Sequence, residues 1–145
     1  MTHSNEPPAN DEHPFVFHMV EVKNWRRTIT TDNIYYPPTY EVDGFTHGTS
    51  NPAKLLSVAN HFYKDIVGDW YCLQMTVQGL ADTGVKIIFE PAAAVGNTAS
   101  KNEAVSGELF PHIYGGISPA AVTRIYPVTR DEFGGFSRID GVYPA

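Results

Sequence analysis

The sequence predicts a compact α+β fold, a mixed and mainly antiparallel sheet carrying two short helices. Three observations predict it. Short runs rich in β-branched and aromatic residues outnumber helical ones, and one strongly amphipathic helix starts at Pro52. The order of strand-like and helix-like runs is irregular, which disfavours a doubly wound parallel sheet, where the two alternate.

Residues 1–14 are polar and carry Pro7-Pro8, so they are expected to form a flexible N-terminal arm; His3 and His13 lie in it and are discounted as ligands. Residues 14–20, Pro-Phe-Val-Phe-His-Met-Val, read as the first strand. Residues 22–29 follow as a short helix, with Val22, Trp25 and Ile29 at helical spacing and Arg26 and Arg27 outward. Residues 30–43 hold Tyr35-Tyr36-Pro37-Pro38 without periodicity and read as a loop packed by aromatics. Gly44-Phe45-Thr46-His47-Gly48-Thr49 is a second short strand or strand-like turn. It runs into a helix start, with Ser50 or Asn51 as N-cap and Pro52 in the first turn. Leu55, Val58, Ala59, Phe62 and Ile66 then recur at three- and four-residue steps until Gly68.

Residues 69–77 form a central strand, and residues 85–90 another that Pro91 terminates. Residues 92–106 are small and polar and read as a loop. Residues 108–116, broken by Pro111 and Gly115-Gly116, read as a second loop. Residues 121–128 close the domain as a strand, with Val122, Arg124, Tyr126 and Val128 alternating with other types. A single domain thus spans residues 15–130, and residues 131–145 are a C-terminal tail.

Composition narrows the function classes. A chain of 145 residues, 42% hydrophobic and 12% aromatic, can bury one core without a metal or disulfide staple. Net charge −6 and a pI near 5.4 repel phosphate backbones, and no basic cluster exceeds Arg26-Arg27, so nucleic acid is an unsuitable partner. Cys72 is the single cysteine; it rules out an intramolecular disulfide and sits in an apolar run, as a buried inert thiol would. No stretch approaches the roughly 18 apolar residues that cross a bilayer, and the N-terminus lacks the apolar core of a secretion signal. A cytoplasmic protein with a small-molecule ligand is the expectation, its oligomeric state open.

Chemistry gathers in three segments. His18 is a lone histidine in an apolar strand, suited to acid–base work by its pKa but equally able to serve as a satisfied core residue. In Gly44-Phe45-Thr46-His47-Gly48-Thr49-Ser50, two glycines flank His47 and a helix N-terminus follows. That arrangement could hold an anion, although Pro52 removes a donor and Ser50 is a candidate cap. Glu108-Leu-Phe-Pro-His112-Ile-Tyr114 packs an acid, a base and a phenol into seven residues, and loops carry function disproportionately. Glu90, before Pro91, reads as a solvated strand-end acid. His18, His47 and His112 with Glu108 would satisfy zinc chemically, but no pair has tight ligand spacing, so no metal is assigned. No Gly-x-Ser-x-Gly elbow is present.

Phe17-His18-Met19-Val20, the Gly44-to-Ser50 run, Val58-Ala59-Asn60-His61-Phe62, Phe89-Glu90-Pro91 and Leu109-Phe110-Pro111-His112-Ile113-Tyr114-Gly115 resemble, in order from about Phe15 to Val128, domain-of-unknown-function family nine-five-two. That family in turn looks like a compact relative of the ADP-ribosyltransferase fold. The resemblance implies a histidine on the first strand, matched by His18, a Ser/Thr position on the second, matched by Thr49 or Ser50, and an acid on a later strand, for which Glu108 is the candidate. NAD is the cofactor this would imply, with Glu108 stabilising a cationic sugar.

The resulting expectation is an enzyme acting on a small molecule in a His/Glu-lined cleft. His18, His47, Glu108 and His112 are its catalytic candidates, and Thr49, Ser50, Tyr114 and Phe45 its ligand-binding candidates. It is either a transferase-like protein using NAD or a related nucleotide, or an isomerase or hydrolase using His/Glu acid–base chemistry. A non-catalytic binding module is the alternative from another class.

Overall fold

The computed structural model describes residues 12–99 and 108–143; most of the expected N-terminal arm lies outside them. The chain runs β1 (Phe15–Glu21), α1 (Val22–Thr31), α2 (Tyr40–Asp43), β2 (Thr46–His47), α3 (Leu55–Phe62), β3 (Trp70–Thr76), α4 (Val77–Asp82), β4 (Lys86–Pro91), β5 (Leu109–Tyr114), β6 (Arg124–Arg130) and β7 (Phe136–Ile139). One antiparallel sheet has the order β1-β3-β6-β7, the other β2-β5-β4. The fold is therefore α+β with curled antiparallel sheets and short helices.

Among the described residues one backbone bridge joins the edge of the first sheet to the segment leaving the second. Phe17 and Thr49 exchange both backbone bonds, N–H to O at 2.7 and 2.9 Å, so the chain after β2 crosses from β5 to the outer edge of β1. Gly48 makes this crossing feasible: a Cβ there would lie 2.8 Å from the Pro111 carbonyl oxygen and 3.0 Å from a Val16 methyl. Past the bridge the sheets diverge, and a cleft opens between them.

The pleat of β1 divides the core. Val16 and Val20 pack with Leu73, Met75, Ile113 and Ile117, while Phe17 and Met19 pack with Leu55, Ala59, Cys72 and Phe136. The first sheet is thus covered on both faces at β1 and β3, and β1 reads as a continuous apolar run interrupted by His18.

Helices α1 and α3 are the two expected ones. α1 buries Val22, Trp25 and Thr28 and ends at Asp32, which takes the left-handed conformation at φ 54° and donates its N–H to the Thr28 and Ile29 carbonyls. The second starts one residue later than a Ser50 cap would have it: Asn51 accepts the Ala53 N–H at 3.0 Å, and a 3-10 turn over Pro52–Lys54 leads into α3. It also stops short of Gly68, because the backbone leaves the helical path at Tyr63, whose ring stacks on Trp70. Two further helices are present. Residues 40–43 turn as α2 within the expected loop, and α4 begins where the Thr76 hydroxyl caps the Gly79 N–H at 2.9 Å.

Two other expectations change. The segment expected as a loop over residues 108–116 contains β5, despite Pro111. The Pro111 carbonyl accepts the Gly48 N–H at 3.0 Å, so the residue serves the sheet with the one backbone group it retains. The expected C-terminal tail contains β7, whose Phe136 and Ile139 are buried against α3 and the first sheet. The domain therefore extends past residue 130.

Candidate functional site

The cleft between the diverging sheets encloses about 540 Å³ counted to its open mouth. β1 contributes His18 and Met19, the crossing segment His47, Gly48 and Thr49, and β5 Phe110 and His112. Leu55, Val58 and Phe62 of α3 form a wall, and Ala92, Ala93 and Val95 of the strap after β4 lie across from them. The lining is mainly apolar, and its polar side chains are chiefly imidazoles.

Each imidazole is held by an oxygen that can only accept. His18 Nδ1 lies 2.6 Å from the His47 carbonyl oxygen, so this nitrogen carries the proton. His47 Nε2 donates to Asp43 Oδ2 at 2.8 Å, and His112 Nδ1 donates to Glu90 Oε1 at 2.8 Å. The remaining nitrogens, His18 Nε2, His47 Nδ1 and His112 Nε2, therefore keep their lone pairs. His18 Nε2 is buried and has no hydrogen-bond partner among the described residues, and the same holds for Ser50 Oγ and Trp70 Nε1.

Burial sets the protonation states. It holds the His18 imidazole at about 4, against an ordinary 6.5, with its bond to the His47 carbonyl opposing only in part. Burial likewise lowers His47 against the opposing pull of Asp43, and lowers His112 against that of Glu90. Glu90 is held below the usual carboxylate range by hydrogen bonds from Tyr114 and His112, and the Tyr114 phenol is raised by the same contact. At neutral pH the site presents three neutral imidazoles backed by two carboxylates.

Phe45 organises the pair. Its ring stacks on His112 at 4.1 Å and 22°, and lies 4.6 Å from His47 and 5.4 Å from Tyr114. The two imidazoles stand edge to face, 5.7 Å apart. Asp43 also accepts the Gly96 N–H at 3.1 Å on both carboxylate oxygens, which ties the strap to the carboxylate that orients His47.

Of the residues expected from sequence, His18, His47, Thr49 and His112 line one cleft, Phe45 stacks on His112, and Tyr114 reaches the site through Phe45 and Glu90. Ser50 is buried beside Thr49, while Asn51 takes the cap. Glu108 stands immediately before β5 and outside the cleft lining; it is four extended steps from His112, about 13 Å along the chain. The carboxylates at the histidines are instead Asp43 and Glu90. Glu90, expected to be a solvated strand-end acid, bonds both His112 and Tyr114. The signal for Asp43 was its position four residues before His47. Among the described residues no three His, Cys, Asp or Glu side chains converge to hold a metal ion.

Residues 19–125 match the model of the family described as Protein of unknown function (DUF952), and the chain belongs to that family. The fold is similar to the crystal structure of protein CC0527 from Caulobacter crescentus: TM-score 0.64 at 15% identity, covering 85% of this chain and 93% of that one. The solution structure of the same protein aligns at TM-score 0.56 and 16% identity, over 83% and 90% of the two chains. No match was found among curated proteins.

Proposed function

We propose that in this family member the histidine cleft is the active site of an enzyme acting on a small uncharged molecule, with imidazole as the base. One observation carries the reading: three imidazoles of fixed tautomer wall a single apolar cleft, each keeping one lone-pair nitrogen. A neutral imidazole accepts a proton, and a carboxylate behind it stabilises the imidazolium that forms. His47 and His112 each have such a carboxylate, whereas His18 has only a carbonyl and serves to receive a hydrogen bond from the ligand. One of the carboxylate-backed rings takes a proton from the substrate, or from water, and the imidazolium so formed returns that same proton to another atom of the substrate or to the leaving group, which suits an isomerisation or a hydrolysis.

The resemblance to ADP-ribosyltransferases gives a second reading, with NAD in the same cleft and its nicotinamide ribose near His18. The Phe17–Thr49 bridge favours it, because it brings the first-strand histidine beside Thr49 and Ser50. The diphosphate does not fit the lining: among the described residues no Lys or Arg faces the cleft, and Asn51 and Pro52 occupy the helix start. No step through NAD is derived.

A screen of neutral metabolites and NAD, by thermal shift with mass-spectrometric detection of products, tests both readings. His112→Phe keeps the stack on Phe45 and removes the base. It should cost about 100-fold or more in turnover, in the range of a lost general base. Turnover that survives in His112→Phe and in His47→Phe alike would end the acid–base reading. Binding with no product from any compound would make the cleft a binding module, and nicotinamide release would place NAD first.

A further inference from the structure

The imidazole nitrogens that the cleft leaves to a ligand are all of one kind. His18 Nε2, His47 Nδ1 and His112 Nε2 remain once the opposite ring nitrogens have donated to the His47 carbonyl, Asp43 and Glu90. An imidazole nitrogen without a proton can only accept. The three rings are close neighbours: those of His47 and His112 stand 5.7 Å apart, and the His18 ring is tied at 2.6 Å to the His47 backbone.

Donors on the same lining are few. The amides of the crossing segment are engaged between the sheets, Gly48 on the Pro111 carbonyl at 3.0 Å and Thr49 on the Phe17 carbonyl at 2.9 Å. In the strap, the Val95 N–H goes to the Thr98 carbonyl and the Gly96 N–H to Asp43. Among the described residues no Lys or Arg faces the cleft, and the hydroxyls of Thr49 and Tyr63 accept as readily as they donate.

An excess of acceptors selects the ligand. A buried acceptor left without a donor weakens any complex that covers it. A carbonyl or ether turned toward these nitrogens sets lone pair against lone pair. An ammonium brings donors, but no Asp or Glu lines the cleft among the described residues to balance its charge. A hydroxyl donates without charge, and it is also a group whose proton a neutral imidazole can take. Leu55, Val58, Phe62, Phe110, Ala93 and Val95 form the remaining walls and call for an apolar frame.

We propose that the compound this cleft takes is a diol or diphenol, an apolar frame carrying hydroxyls that donate to at least two of the three imidazoles. The assignment rests on reading these rings as the working groups of the site, and it narrows the uncharged substrate to a hydroxyl-rich one.

The probes are the benzenediols and the vicinal cyclohexanediols, each beside the difluoro compound of the same frame, which is similar in size and has no donor. The readout is the nitrogen-15 resonances of the histidine rings in the full chain, assigned with His47→Phe and His112→Phe. A bare nitrogen that accepts a hydrogen bond moves upfield. A diol is expected to move at least two of the three acceptor nitrogens, and its difluoro partner should bind about tenfold or more weakly. His47→Phe and His112→Phe should each weaken the diol about tenfold and leave the difluoro compound unchanged. Ring nitrogens unmoved by every diol at its solubility limit, or equal binding of the difluoro partner, overturn the proposal. So does a spectrum that places the proton on His18 Nε2 or His112 Nε2. A diol seated on the imidazoles without product supports this assignment while ending the catalytic reading. Turnover of a compound without hydroxyls, lost in His112→Phe, upholds the catalytic reading and overturns this one.

Discussion

Arg130 and His18 are polar groups that the fold treats in opposite ways. Arg130 uses all five of its N–H donors on backbone carbonyls: Nε on Gly134 at 3.1 Å, Nη1 on Ile66 and Gly68 at 2.6 and 2.9 Å, and Nη2 on Lys64 and Gly134 at 2.7 and 2.8 Å. The guanidinium also lies 4.3 Å from the centre of the Phe136 ring. His18 satisfies one nitrogen and leaves the other buried, without a partner among the described residues. A chain that closes one polar group so completely is not careless with hydrogen bonds. Among the described residues three buried polar atoms are unmet; two belong to residues lining cavities, and the third, Ser50 Oγ, follows Thr49 on the cleft wall. Arg130 is polar chemistry used up by the fold, whereas the second nitrogen of His18 is polar chemistry the fold does not use.

The largest expected effect breaks the Arg130 side of that comparison. Arg130→Met keeps much of the stem and loses all five bonds, leaving the carbonyls of the 64–68 and 134 loops to water. Stability should fall by about 3 kcal/mol, below the sum of five charged bonds because the group is partly exposed. Urea denaturation measures it. A loss under about 1 kcal/mol would mean that the clamp follows the loops rather than holding them.

His18 supplies the next effect, through pH. Its folded pKa of about 4 lies below the unfolded 6.5, so between those values the unfolded chain binds the proton more tightly. Its stabilising contribution is complete above 6.5 and is lost as pH falls through the window to about 4, a change of roughly 3 kcal/mol. His47 and His112 are depressed as well and steepen the loss. In His18→Asn the amide can still donate to the His47 carbonyl, but the titration is gone. Its stability should fall less steeply between pH 6.5 and 4 than that of the natural chain. Identical slopes would place the His18 proton affinity near its ordinary value and remove the contrast with Arg130.

These contrasts explain what was readable from sequence. β1, α1, β3 and β4 were legible because each is an uninterrupted run long enough to show its period. β5 was not, since Pro111 and Gly115-Gly116 are local breakers, and only the Gly48 N–H on the Pro111 carbonyl shows how a proline serves there. α4 and β7, at 6 and 4 residues, are too short to display a period. The three histidines could be singled out by residue type, but their partners could not. Glu90 meets His112 through the β4–β5 register, which pairs Ile88 with His112 and sets Glu90 on the diagonal, and register is a property of the folded sheet. Trp70 lies in the expected central strand and is a core residue apart from a single nitrogen.

Asp43→Asn sharpens the comparison within the site itself, because Asp43 is the polar group there that is well satisfied. The amide keeps one acceptor for Gly96 but offers no negative charge to His47. Asp43 is what raises the His47 pKa against burial, so its loss should lower that pKa further, and stability should drop by about 1–2 kcal/mol. Histidine ring resonances followed against pH would show it. A His47 titration that does not move would mean the carboxylate orients the strap alone.

Phe133 gives the smallest effect and asks whether the Arg130 clamp is a matter of backbone only. The ring is 81% exposed on the loop that the guanidinium holds. The turn beneath it is closed by the Asp131 carboxylate, which accepts the Phe133 and Gly135 N–H groups at 2.9 and 2.8 Å, and neither bond needs the phenyl group. Phe133→Ser should therefore change stability by no more than about 0.5 kcal/mol in urea denaturation, as an exposed substitution does. A cost above about 1 kcal/mol would show that the ring packs the loop into place. The arginine's five bonds would then be a consequence of that packing rather than its cause.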